Sequence, residues 1–160
     1  EDPDKLIDAY IDTITEAVRD KPAGMTVGMH LCRGNYKGRW MGSGAYDRIA
    51  ERLFNIPGVD AYLLEYDSER AGSFAPLKYL PEGKRAYLGI VSSKTGELEG
   101  LDLLRRRLDE AARHAPAERL GVSPQCGFAS SAGGNPLSEA EQWAKLARVV
   151  ETARAQWGSA

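Results

Sequence analysis

The feature that most constrains this chain is a strict alternation of short apolar runs with longer amphipathic ones. Residues 3–19 place Leu6, Ile7, Tyr10, Ile11, Ile14 and Val18 at helical spacings, and Lys21-Pro22-Ala23-Gly24 ends the helix. Residues 25–31 (MTVGMHL) follow, bounded by Gly24 and by the polar Cys32-Arg33-Gly34-Asn35 segment, as expected of a buried strand. The unit then repeats. A helix over 45–55 carries Ile49, Leu53 and Phe54 on one face, and 60–66 (DAYLLEY) is a second strand. A short helix over 72–79 precedes a third strand over 85–92 (RAYLGIVS). Residues 97–114 put Leu101, Leu104, Leu108 and Ala111 on one helical stripe with charges opposite. A fourth strand occupies 119–123. The last helix begins after Asn135-Pro136, where Ser138 and Glu141 have capping-box spacing, and runs through Trp143, Leu146, Val149 and Val150.

One helix followed by four strand-helix units predicts an α/β fold with a parallel sheet and right-handed crossovers. A complete (β/α)8 TIM barrel takes about 250 residues. With 160 residues, this chain reads as a single domain, 1–160, forming the C-terminal half of such a barrel. Its two raw sheet edges then need the missing N-terminal half, or a second copy in a homo-oligomer, to cover them. The absent initiator methionine and the immediate helical pattern lead us to expect natural sequence upstream of residue 1.

Composition narrows the partners. A formal net charge of −2 with 28% charged residues offers no basic field for nucleic acid and no polybasic anchor for a membrane. No apolar run approaches the roughly 20 residues that span a bilayer, and EDPDKLIDAY lacks the basic and apolar regions of a signal peptide. We expect a cytoplasmic protein acting on small molecules. The two cysteines, Cys32 and Cys126, lie far apart in a chain without an export signal, so metal binding or thiol chemistry is the expectation rather than a disulfide.

His30 and Cys32 stand two residues apart at the end of the first strand, so both project to the same side. Glu65 sits near the end of the second strand, and Cys126 follows the fourth in Ser123-Pro124-Gln125-Cys126-Gly127. All four therefore emerge at the carboxyl ends of strands, where barrels of this kind carry their active sites. Each has a plain alternative: a buried free thiol for either cysteine, a hydrogen-bonded histidine, or a salt bridge from Glu65 to Arg70. Together, one imidazole, two thiols and one carboxylate match the ligand types and the four-coordinate preference of Zn2+.

The motifs HLCRGNY (30–36), EYDSERAGSF (65–74), LGIVSSK (88–94) and SPQCGFASS (123–131) extend the pattern. In this order they resemble the catalytic domain of the cobalamin-independent methionine synthase family, above all its short single-barrel members. The resemblance runs over nearly the whole chain. It implies the later half of a TIM barrel, with His30, Cys32, Glu65 and Cys126 as zinc ligands. It implies a methyl transfer to the thiol of homocysteine from a folate, methylcobalamin or another donor. Zinc coordination delivers a thiol as its thiolate near neutral pH, and Glu65, the sole oxygen donor of the set, is the ligand we expect to be released.

One departure stands out. The long methionine synthases have a histidine near the end of the equivalent third strand, where this chain reads Val91-Ser92-Ser93-Lys94. Lys94, with Glu65 and Asp67, is thus a candidate catalytic group, the alternatives being a surface lysine and a local Asp67–Arg70 pair. Arg33, Asn35 and Tyr36 directly follow the His-x-Cys pair and are candidates to orient a substrate carboxylate. His114 closes a helix and should face solvent. Gly42-Ser43-Gly44 and Gly133-Gly134 lack nucleotide-loop spacing and read as turns. Trp40, Trp143 and Trp157 read as packing residues. Other functions weighed are an alkyltransferase for another thiol such as coenzyme M, a structural-zinc binding module, and a zinc-activated water hydrolase.

Overall fold

The structure, a computed structural model, describes residues 2–159. The elements follow the expected order: α1 (Pro3–Val18), β1 (Gly28–Leu31), α2 (Ala50–Phe54), β2 (Ala61–Glu65), β3 (Arg85–Val91), α3 (Leu101–Ala111), β4 (Leu120–Pro124) and α4 (Glu139–Trp157). The four strands form one sheet in the order β1-β2-β3-β4 with every neighbouring pair parallel. This is the sequential winding of part of a TIM barrel.

Register aligns His30 with Leu63 across β1 and β2, and Glu65 with Gly89 across β2 and β3. Side chains of paired residues in parallel strands share a face. His30, Leu63 and Glu65 therefore lie on one side of the sheet. On the other side Tyr62, Leu64, Tyr66, Leu88 and Ile90 pack with Phe54, Leu77, Leu104 and Leu108 into the fully buried core. The two central strands are mostly buried while β1 and β4, each with one neighbour, are mostly half-exposed or exposed. Gly89 carries no side chain for a specific reason. A Cβ there would stand 2.7 Å from the Leu64 carbonyl oxygen and from the Gln125 Cα, so only glycine leaves room on β3 for the backbones of β2 and of the segment after β4.

Helix boundaries differ from expectation where side chains are committed elsewhere. The helix expected over 45–55 shortens to α2 because Tyr46, before it, turns its hydroxyl to the backbone of Glu65. The helix expected over 72–79 resolves into 3-10 turns Glu69–Ala71 and Ala75–Tyr79. α3 starts at Leu101 because Glu99 is held by the Ser92 amide and Lys145, with Gly100 in extended backbone as the N-cap. α4 starts as expected, with both halves of the Ser138–Glu141 capping box formed. Two of the three tryptophans depart from their packing role: Trp40 is 51% and Trp143 60% exposed. Among the described residues no helix is long and apolar enough to cross a membrane.

α1 has no buried residue, although Ile11 and Ile14 rest against the core. It is also held by charge: Asp4 receives bonds from Arg48 and Arg52, and Asp8 from Arg52. Those two guanidinium groups hold the Asp4 carboxyl at about 2, below its usual 3.8. A folded pKa depressed in this way contributes stability above the unfolded value, and the contribution is lost as pH falls through the folded one. Asp4→Asn should therefore speed amide exchange in α1 at neutral pH and leave β2 and β3 unchanged. In the wild type the same loosening should set in on acidification from about pH 4 towards about pH 2. Exchange in α1 unaffected by the substitution would show that its apolar contacts alone dock it.

Candidate metal centre

The sheet brings the four sequence candidates together. His30 lies on β1, Cys32 one residue past it, Glu65 at the last position of β2, and Cys126 two residues beyond β4. One ligand atom from each lies within 4.8 Å of all the others. The two sulfurs are 3.9 Å apart, and His30 Nε2 is 3.9 Å from Glu65 Oε1. A tetrahedral zinc, with bonds of about 2.0 Å to nitrogen and 2.3 Å to sulfur, sets its ligand atoms roughly 3.3–3.8 Å apart. The donor atoms need only small shifts to match.

The state of Glu65 tests whether these residues suit a cation. The residue is 0% exposed, and neither carboxyl oxygen has a hydrogen-bond partner. The His30 contact, at 3.9 Å, is an ion-pair distance only for a protonated imidazole and is too long for a hydrogen bond. A buried carboxylate left unpaired costs several kcal/mol. Its backbone, by contrast, is firmly held: the amide donates to the Tyr46 hydroxyl at 2.9 Å and the carbonyl accepts from Arg33 at 2.9 Å. The chain thus fixes the main chain of Glu65 and leaves the charge of its carboxylate unanswered. Burial, followed by the neighbouring Cys126 and Glu65, pushes the Cys32 thiol up to about 11, against the pull of the Gly34 amide. Without a metal Cys32 is therefore protonated at neutral pH. Metal binding must displace that proton and strengthens as pH rises.

Arg33, expected to meet a substrate carboxylate, lies over the Tyr46 ring at 4.2 Å and donates to the Gly44 carbonyl, the Tyr46 hydroxyl and the Glu65 carbonyl. It braces the loop and β2. Asn35 donates to the Gly127 carbonyl at 2.9 Å, and its own Oδ1 is buried without a partner. Tyr36 is 62% exposed. Asp67 pairs with Arg70 at 3.2 Å and accepts from the Ser92 hydroxyl at 3.1 Å. Lys94 is buried, in contrast to the surface alternative, and donates to the Gly34 carbonyl. Three cross-links, Asn35 to Gly127, Lys37 to Ser130 and Gly38 to Asn135, tie the loop after β1 to the loop after β4.

Sequence reasoning missed Tyr46, whose only signal was its place before an apolar helical run. It also missed the buried Ser93–Gln125 pair beside Cys126 and the stacking of Arg70 on Trp40 at 4.4 Å. Trp40, Arg70, Asp67, Ser92 and Lys94 line an open cleft of about 460 Å³. A larger hollow of about 640 Å³, between Lys21, Asp60, Arg85 and Tyr87, opens at the amino ends of the strands, away from the four donors. Strand polarity and the donor cluster both put the chemistry at the other end.

These features define an α/β partial barrel with an imidazole, two thiols and a carboxylate gathered at the carboxyl ends of three strands. No protein-family model matches the chain. It is 46% identical over 156 residues to the uncharacterized protein YxjG of Bacillus subtilis, covering 97% of this chain and 41% of that protein. It is 28% identical over 160 residues to the 5-methyltetrahydropteroyltriglutamate-homocysteine methyltransferase of Paraburkholderia xenovorans, covering 92% of this chain and 18% of that protein. The crystal structure of a candidate vitamin-B12-independent methionine synthase from Listeria monocytogenes superimposes with a TM-score of 0.76 at 38% identity, covering 99% of this chain and 43% of that one. The chain is thus similar in sequence and fold to proteins named as cobalamin-independent methionine synthases, the likeness its motifs led us to expect, and it spans about two fifths of the length of YxjG and of the Listeria protein.

An unpaired buried charge predicts a trade of stability for binding. Glu65→Gln should stabilise the metal-free protein by about 1–3 kcal/mol, raising its melting temperature by several degrees, and should remove most of the further rise that zinc produces. A lower melting temperature for metal-free Glu65→Gln would mean that the carboxylate has a protein partner in solution.

Proposed function

We propose that this chain is the zinc-binding part of a methyltransferase that moves a methyl group to the thiol of homocysteine, giving methionine. The observation that carries the reading is the donor set itself: four ligand atoms within 4.8 Å of one another around a carboxylate that no protein donor meets. His30, Cys32, Glu65 and Cys126 would hold the zinc, which supplies the positive charge that keeps a thiol deprotonated near neutral pH. In the reaction the thiol loses its proton, its sulfur lone pair forms the new S–C bond, and the donor retains the electron pair of the bond that breaks.

The chain's own residues prepare that step in two ways. Two thiolates and one carboxylate carry more negative charge than a divalent ion balances, so the site leaves electron density on a sulfur that enters it. Arg33 and Tyr46 hold the Glu65 main chain, and its side chain is the one oxygen donor among two sulfurs and a nitrogen, the ligand we expect to give way to a substrate thiol. Asp67, pinned by Arg70 and Ser92, lines the cleft beside Trp40.

The remaining length of the longer relatives bears on substrate recognition. β1 and β4 each lack a second neighbour, and a barrel needs both edges covered. We place the groups that grip the amino and carboxylate ends of homocysteine, and part of the methyl-donor site, on the segment that closes those edges.

Together with the segment that closes those edges and loaded with zinc, the protein should form methionine from homocysteine and at least one donor of a panel spanning methylfolates and methylcobalamin, and should not methylate coenzyme M, whereas the 160 residues alone should show no turnover. Cys126→Ala should lower turnover by at least about a thousandfold, since losing a thiolate ligand removes thiol activation. Full activity of Cys126→Ala would refute the reading. Chelation separates a working zinc from a structural one. The apolar core is built without the four donors, so far-UV circular dichroism should survive metal removal while methyl transfer is lost. Unfolding on chelation would instead mark the zinc as structural.

A further inference from the structure

Lys94 stands on the segment leaving β3, is 5% exposed, and donates its ammonium to the Gly34 carbonyl at 3.1 Å. Gly34 in turn donates its amide to Cys32 Sγ at 3.2 Å. That one residue can serve both depends on its being glycine. Its φ is +98°, and a Cβ would stand 2.7 Å from the Met41 backbone nitrogen.

The connection continues inward from Lys94. Its amide donates to the Ser92 hydroxyl at 3.3 Å, and the Ser92 amide donates to Glu99 at 2.7 Å. Glu99 lies 3.0 Å from the ammonium of Lys145, a lysine of α4 with no exposed surface. Hydrogen bonds linked through Glu99, Ser92, Lys94 and Gly34 therefore join the last helix to a sulfur of the donor cluster. Taking an ammonium out of water costs several kcal/mol, and in this run Lys94 is the side chain that bridges from β3 to the loop after β1. The mechanism proposed above uses neither Lys94 nor Gly34.

We propose that Lys94 is a positioning residue for the metal centre: by holding the Gly34 carbonyl it keeps the Gly34 amide on the Cys32 sulfur and the sulfur turned toward Cys126 and Glu65. The inference rests on the reading of the four donors as a metal site. Partners one shell out from a metal set ligand orientation and donor strength, and their loss typically costs 10–100-fold in affinity.

Cobalt(II) is the probe, because thiolate ligands give it a charge-transfer band that reports on the sulfurs directly. Lys94→Met should bind cobalt about 10-fold or more weakly, with a weakened or shifted charge-transfer band and an unchanged far-UV spectrum. Lys94→Arg, which restores a cationic donor, should recover most of the loss. Should Lys94→Met fail to fold, Lys94→Gln, with a shorter stem, provides the same contrast. Wild-type affinity and band shape in a folded Lys94→Met or Lys94→Gln would overturn the proposal and leave the metal site standing. A wild-type protein that gives no thiolate-to-cobalt band would overturn both.

Discussion

The carboxylate of Glu65 is buried at the end of a central strand with its main chain clamped and its charge unmet. Proteins avoid this arrangement unless a cation completes it, because the desolvation of an isolated carboxylate outweighs what packing around it returns. Much of the local architecture follows from it. Tyr46 gives up helical backbone to reach the Glu65 amide, and Arg33 turns away from the site to hold the Glu65 carbonyl. Gly89 removes the side chain that would block the strand beside it. The sulfurs of Cys32 and Cys126 then arrive from the two flanking loops, and His30 from the strand next door.

A parallel sheet explains why the donors converge. All four strands run the same way, so every loop that leaves a carboxyl end emerges on one side. The loops after β1 and β4 meet through three hydrogen bonds, and this brings Cys126 to Cys32 across the width of the sheet. The same geometry leaves the half-exposed edges at β1 and β4, the exposed Trp143 on α4, and an α1 that buries no residue. The β1 and β4 edges are open to pairing with further strands.

The order and direction of the strands, the capping box of α4 and the four donors were all readable in the sequence, because each depends on local rules. Period-two alternation puts His30 and Cys32 on one side, and apolar runs of strand length fix the places of Glu65 and Cys126. What could not be read depends on contacts between distant segments. Arg33 follows Cys32 immediately, yet its partners are Gly44, Tyr46 and Glu65, so adjacency to a ligand suggested a substrate contact that the fold spends on bracing. Lys94 read as either a site group or a surface lysine, because nothing local revealed that its ammonium would be buried against the Gly34 carbonyl. Trp40 and Trp143 looked buried because their hydrophobicity says nothing about which part of a barrel is at hand. Helix ends shifted where Tyr46 and Glu99 prefer distant backbone partners to helical ones.

The central claim is that the four donors hold a zinc that accepts a substrate thiol, and zinc K-edge X-ray absorption with and without homocysteine tests it most directly. The account predicts a first shell with two sulfurs that gains a third when homocysteine is added. An unchanged shell, or purified protein without stoichiometric zinc, would contradict it.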